Sequence, residues 1–201
     1  MDVKILEKNT CYEGFFKLVR YRLKHSLFAG GWSSELLREV LERGHAVAVL
    51  PYDPILDQVV LIEQFRPGAI GYSKGAWLWE IVAGIIETGE QTDEVAYRET
   101  KEEIGCQVSD IIHISDFFVS PGSTNETTAL FCGKVDASQA CGIHGVVSEH
   151  EDIKVHVISL TKALDMLANN EINFVPAIVA LQWLALHHEK VKAKWNNDVA
   201  Q

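Results

Sequence analysis

Apolar and polar residues alternate along the stretch GFFKLVRYRLKHSLF, residues 14–28, with the period of two that belongs to a strand covered on one face. Gly30–Gly31 reads as a turn, and residues 1–44 as a whole read as strands. ELLREVLERGHAVAVLPYD carries two signals: its charges suit a helix, and its end, AVAVLPY, suits a buried strand. A strand pair is the preferred reading. QVVLIEQFR and WLWEIVAGII are further strands, each rich in β-branched or aromatic residues. IIHISDFFVS and ETTALFCGKVD read as strands around the loop SPGSTN, and DIKVHVISL as another.

Helices lie between and after these strands. The clearest begins at Asp93, with Thr92 as its cap, acidic residues in its first turn, Gly105 as its terminator and a thin apolar side of Val95, Ala96 and Ile104. TKALDMLANN and VPAIVALQWLALHHEKVKAKW are two more, the last with an apolar stripe through Ile178, Leu181, Leu184 and Ala185. Strands dominate the middle without a regular βαβ repeat, so the class is α+β.

Composition changes this picture little. Apolar residues make up 47% and charged residues 23% of the 201, as in ordinary folded proteins. The net charge of -10 argues against a general nucleic-acid binder, which needs basic surface to displace counterions. An anionic substrate would therefore require local arginines or metal ions to reverse the field. Cys11, Cys106, Cys132 and Cys141 form neither a C-x-x-C pair nor a zinc spacing and read as reduced thiols. The start MDVKILEKNT lacks the apolar core of a signal peptide, and no run reaches the length of a membrane span; no membrane partner and a cytoplasmic location are expected.

The chemistry concentrates in YRETKEEIGC. Residues three and four apart in a helix are neighbours, so Glu99 faces both Glu102 and Glu103, at a cost of roughly 0.2–0.5 kcal/mol for each like-charge pair. Something positive has to offset it. The longer stretch GIIETGEQTDEVAYRETKEEIGC, from Gly84 to Cys106, places Gly84, Glu90, Arg98, Glu99, Glu102, Glu103 and Gly105 in the spacing G-x5-E-x7-R-E-U-x-E-E-x-G-U, with U apolar. This resembles the signature of the Nudix hydrolases, with Thr100 as the departure at an apolar position. Carboxylates are hard oxygen ligands suited to Mg²⁺ or Mn²⁺. Without an ion, that helix face is expected to be strained or poorly ordered.

The resemblance implies a Nudix fold, mixed β-sheets sandwiched between helices, over residues 45–201. It implies that Glu99, Glu103 and the carbonyl of Ala83 coordinate metal, with Glu102 and Glu151 as further acidic ligands. Gly84, Glu90, Arg98 and Gly105 would be structural, Glu90 and Arg98 as an ion pair holding the loop before the helix. In SEHEDI, Glu149 would be the catalytic base that takes a proton from the attacking water.

The loop SPGSTNE and matching segments along nearly the whole chain are similar to the ADP-ribose diphosphatases of that superfamily. That likeness implies hydrolysis of ADP-ribose to AMP and ribose 5-phosphate. It places Arg38, Glu39, Arg43, Arg66, Ser120 and Glu126 around the substrate, with Phe15 or Phe16 stacking on adenine. It also implies a homodimer in which the N-terminal β domain is exchanged, so that each pocket takes residues from both chains. Phe15 and Phe16, as consecutive strand residues, would point to opposite faces, which is compatible with such an exchange. Two other readings stand beside this one: a diphosphatase for another nucleotide sugar, such as ADP-glucose or GDP-mannose, and a sensor that binds ADP-ribose without hydrolysing it. PGAIGYSKGA, residues 67–76, reads as a loop near the pocket.

Overall fold

Charges that suggest a helix in ELLREVLE find their partners across strands instead. In the computed structural model, which describes residues 1–197 apart from the side chains of Glu149 and Asn197, this segment is an antiparallel strand. It is β3, Leu36–Glu42, the third of a sheet begun by β1, Val3–Glu13, and β2, Lys17–His25. Arg20 meets Glu39 at 2.9 Å, and Arg22 meets Glu7 at 3.0 Å and Glu35 at 3.1 Å. Gly44, at φ 84°, then turns the chain out of the sheet. Phe15 and Phe16 differ from the expectation: they occupy the turn between β1 and β2, so strand alternation does not set their directions. The chain divides into two compact units, Met1–His45 with Phe117–Thr127, and Ala46–Asp116 with Thr128–Gln201.

The second unit is built on a mixed sheet. Its strands are β4, Ala46–Asp53; β5, Gln58–Phe65; β6, Trp77–Glu80; β7, Val82–Ile85; β8, Asp110–Phe118; β9, Thr127–Lys134; β10, Ile143–His144; and β11, Ile153–Ser159. The order is β10-β11-β5-β4-β9-β8, with β6 on β5 and β7 on β4. β4 and β9 run parallel, whereas β10–β11, β11–β5, β4–β5, β4–β7 and β5–β6 are antiparallel pairs. WLWEIVAGII is thus two strands rather than one. Glu80 pairs with Ile62 of β5 while Val82 pairs with Val49 of β4, so the chain changes partner at the fully buried Ile81.

Alternation along β4 assigns its two faces. Val47 and Val49 join Val60, Ile62 and Val82 under helix α1, Thr92–Ile104, which contributes Val95, Ala96 and Ile104. Tyr52 points to the other face, its ring 6.2 Å from Trp195 of helix α3, Val175–Asn197; helix α2, Leu160–Ala168, packs on β5, β11 and α3. The sheet is therefore sandwiched between α1 and the α2–α3 pair, an α+β architecture. In α3 the buried stripe runs through Ala177, Leu181, Leu184, Val191 and Trp195, whereas Ile178 is half-buried and Ala185 is exposed. None of the described helices is long and apolar enough to cross a membrane, and all four cysteines are free.

Two local features of α1 matter for what it carries. Gln91, not Thr92, is the N-cap, and the Glu94 side chain accepts the Gln91 N–H at 3.2 Å, as in a capping box. Thr100 is fully buried, and its hydroxyl donates to the Ala96 carbonyl at 2.7 Å. A polar residue in the apolar position is tolerated because the helix's own backbone satisfies it. Gly105 ends the helix in the left-handed region, φ 73°.

Trp195 anchors α3: it is fully buried, and its indole N–H donates to Asp110 at 2.8 Å. Trp195→Ala should lower stability by about 3–5 kcal/mol. Urea unfolding checks this, and an unchanged midpoint would contradict the anchoring role.

Candidate active site

Helix α1 lies across β7, and the bare backbone of that strand lets acidic side chains approach it. Gly84 carries no side chain where one would collide with the Glu99 carboxylate, so only glycine permits this approach. One residue earlier, the Ala83 N–H donates to Glu103 Oε2 at 3.1 Å. In a strand the N–H and C=O of one residue point to the same side, so the Ala83 carbonyl also faces away from β4 toward the helix. Glu103 is 3% exposed, and the Glu99 side chain is largely covered; Glu102 is the open member of the three.

Arg98 supplies positive charge to two of the three glutamates, Glu99 and Glu102. Its Nη1 donates to Glu99 at 2.8 Å and to Glu102 at 3.1 Å, while Nε and Nη2 grip Glu90 at 3.1 and 3.2 Å. Glu90 also accepts the Glu87 N–H at 2.9 Å, which closes the loop whose turn is made by Gly89 at φ 97°. Burial alone would lower the Arg98 pKa, but its bonds and nearness to these carboxylates more than offset that and hold it firmly charged. The face expected to be strained is consequently a regular helix, because arginine occupies the place of a counter-charge.

Among the described residues no three His, Cys, Asp or Glu side chains converge into a group that could hold a metal as they stand. The reason is visible: Glu99 and Glu102 are turned onto Arg98, and Glu103 onto Ala83. The donor set still fits a hard divalent cation. Burial pushes the Glu103 carboxyl well above its ordinary 4.5, the Glu99 and Glu151 charges push it further, and only the Ala83 N–H and Arg66 pull it down. Glu99 is raised as well, first by burial, and Arg98 does not fully cancel this. Buried oxygens that repel one another lack positive charge between them, which is what Mg²⁺ or Mn²⁺ provides.

The segment before β11 brings a further carboxylate. Gly145 lies at φ 110°, where a Cβ would come within 2.6 Å of the Glu151 Cβ, and Glu151 accepts the Val146 N–H at 2.9 Å. Glu149 ends the turn Val147–Glu149, and its side chain lies outside the described residues. Arg66, just past β5, is seized by Glu80: Nε donates at 2.9 and 3.2 Å and Nη2 at 2.7 Å. Glu80 was not singled out in the sequence, although a lone acid inside WLWEIV was the available signal.

The first unit holds the other candidates. Arg43 pairs with Glu126 at 3.0 Å, and its guanidinium lies 5.2 Å from the centre of the Phe16 ring, against which Phe15 packs edge-on at 4.8 Å. Glu39 is engaged by Arg20, and Arg38 donates to the adjacent Leu37 carbonyl. As neighbours on β3, Arg38 and Glu39 point to opposite faces. Ser120 bonds Ser123 at 3.2 Å within a loop that docks on β3 through Leu41 N–H to Ser123 and Asn125 N–H to Leu41.

Known proteins resemble this chain along most of its length. The NUDIX domain model matches residues 42–195. The chain is 47% identical over 194 residues to the ADP-ribose pyrophosphatase of Escherichia coli K12, covering 96% of this chain and 93% of that protein. It is 44% identical over 197 residues to the ADP-ribose pyrophosphatase of Haemophilus influenzae, with 96% and 91% covered. Identity to the GDP-mannose pyrophosphatase of Yersinia enterocolitica is 30% over 190 residues, with 93% and 98% covered. A crystal structure of an ADP compounds hydrolase superposes with a TM-score of 0.72 over 96% of both chains at 20% identity, a likeness of fold.

A buried glutamate with a raised pKa stabilises the fold only below its unfolded value near 4.5, and that contribution disappears as pH rises through the folded value. In metal-free protein, Glu103→Gln should therefore raise stability by about 1 kcal/mol, roughly 2–4 °C, at pH 8 and by less at pH 5. Calorimetric melting at both pH values checks the sign, and a Tm lowered equally at both would contradict it.

Proposed function

The chain belongs to the NUDIX domain family, and we propose that it hydrolyses the diphosphate linkage of ADP-ribose to AMP and ribose 5-phosphate. The observation that carries the choice of substrate is the pair of identities, 47% and 44%, to ADP-ribose pyrophosphatases across almost the whole chain, against 30% to a GDP-mannose pyrophosphatase. The intact set Glu99, Glu102 and Glu103 beside Gly84 favours turnover over mere sensing, since a binding module has no use for buried, mutually repelling carboxylates.

In this reading Glu99, Glu103 and the Ala83 carbonyl hold Mg²⁺, with Glu102 and Glu151 as additional donors; Mn²⁺ suits the same oxygens. When bound, the metal offsets the charge of the diphosphate and makes water easier to deprotonate. Glu149 accepts the proton of the water that attacks phosphorus. Arg66 offers the N–H groups that Glu80 leaves over to a phosphate oxygen. Phe15 and Phe16 offer aromatic faces to adenine, and Arg38, Glu39, Arg43, Ser120 and Glu126 supply polar contacts to the rest of the substrate. Glu90 and Arg98 hold the loop and the carboxylates in place.

We also propose a cytoplasmic homodimer. In favour of the dimer, β1 is exposed along its whole length, and Val3, Ile5, Tyr12 and Leu37 present apolar surface that a second copy of the sheet would cover.

AMP release from ADP-ribose should depend on Mg²⁺ and exceed release from ADP-glucose or hydrolysis of GDP-mannose. Glu149→Gln should reduce kcat about 10²–10⁴-fold with little change in KM. A preference for another sugar overturns the substrate, while an active Glu149→Gln with an inactive Glu151→Gln transfers the base to Glu151.

A further inference from the structure

Glu80 is a fully buried carboxylate whose partners all lie on β5 and just beyond it. It stands opposite Ile62 in the β5–β6 register, on the same face as Gln64, whose amide donates to Glu80 Oε2 at 3.3 Å. Arg66 continues that face two residues later. Its backbone N–H donates to the Ala76 carbonyl at 2.8 Å, and its Nε and Nη2 form a fork on Glu80. Arg66 is therefore anchored twice, by main chain to the residue that precedes β6 and by side chain to the last residue of β6.

The geometry leaves one part of the guanidinium uncommitted. The Nε–Nη2 edge is taken up by Glu80, whereas Nη1 donates to nothing among the described residues, and two-fifths of the side chain is exposed. Glu103 of α1 and Glu151 lie near enough to Arg66 for their charges to act on its guanidinium. A flexible arginine next to so many carboxylates would collapse onto one of them. A fork held from behind by a buried carboxylate cannot.

We propose that Glu80, braced by Gln64, is a positioning residue: it fixes the Arg66 guanidinium so that its open edge meets a diphosphate oxygen of the substrate instead of the acidic cluster. This deepens the substrate reading above and rests on it for the ligand that Arg66 meets. The energetic reason is preorganisation. A carboxylate that already holds one edge of the fork removes the rotamer freedom that binding would otherwise have to remove.

The test is a double-mutant cycle on Glu80→Gln and Arg66→Lys, with Glu80→Asp as a second variant, each first checked for an unchanged circular dichroism spectrum. Lysine keeps the charge that a buried Glu80 needs but has no fork. KM should rise about tenfold in Glu80→Gln, with kcat within about threefold, and Glu80→Asp should behave alike because its carboxylate no longer reaches. In the Arg66→Lys background, Glu80→Gln should add less than about twofold, since the two act through one contact.

A KM unchanged in both Glu80 variants, or a rise that is the same in the Arg66→Lys background as in the wild type, overturns the proposal and leaves Glu80 a purely structural ion-pair partner. The cycle is run on whichever nucleotide sugar the wild-type enzyme turns over. Preference for a sugar other than ADP-ribose thus overturns the substrate reading alone, and the same cycle still decides the role of Glu80; absence of turnover on every diphosphate overturns both.

Discussion

Burying a carboxylate is among the most costly things a fold can do, and this chain buries Glu103 and largely covers Glu99 against one strand. Everything around the site follows from that constraint. Gly84 must be bare so that Glu99 can lie on the backbone, Ala83 must turn its amide away from β4 to meet Glu103, and Arg98 must stand between the helix and the loop that precedes it. In the proposed function, a ligand that brings positive charge recovers the stability forgone here.

The sheet makes this possible. Val47, Val49, Val60, Ile62 and Val82 form a continuous apolar floor under α1, so the helix is fixed by Val95, Ala96 and Ile104 while its polar edge is left to the acids. The partner change at Ile81 has a purpose in this frame. By leaving β5 after Glu80 and joining β4 at Val82, the chain places Glu80 behind Arg66 on one strand and Ala83 and Gly84 under α1 on the next. A single uninterrupted strand could not serve both.

Much of this was legible in the residues themselves. That Glu99, Glu102 and Glu103 are neighbours needed no coordinates, since a helix fixes which side chains share a face, while Gly84, Glu90, Arg98 and Gly105 were reached through the resemblance to the Nudix signature. Long-range pairing was not legible in the same way. The charges of ELLREVLE fit helix and strand equally until the side chains of Arg20 and Arg22 are known to reach Glu39 and Glu35. WLWEIVAGII gives no local sign of its division, because both halves are equally apolar and the break is a choice of partner. Phe15 and Phe16 were misplaced for a related reason: alternation continues through the turn, where it no longer reports on a face. Glu80 shows the limit most clearly, as a charge in an apolar run has meaning only once Arg66 is found beside it.

The central claim is that Glu99 and Glu103 form a site for a divalent cation. Direct titration with Mn²⁺, followed by the loss of its free electron paramagnetic resonance signal, tests this without reference to catalysis. The account predicts that wild-type protein binds Mn²⁺ and that Glu99→Gln and Glu103→Gln, each still folded, weaken binding at least about tenfold, the loss of one charged ligand. Equal affinity in all three would contradict it.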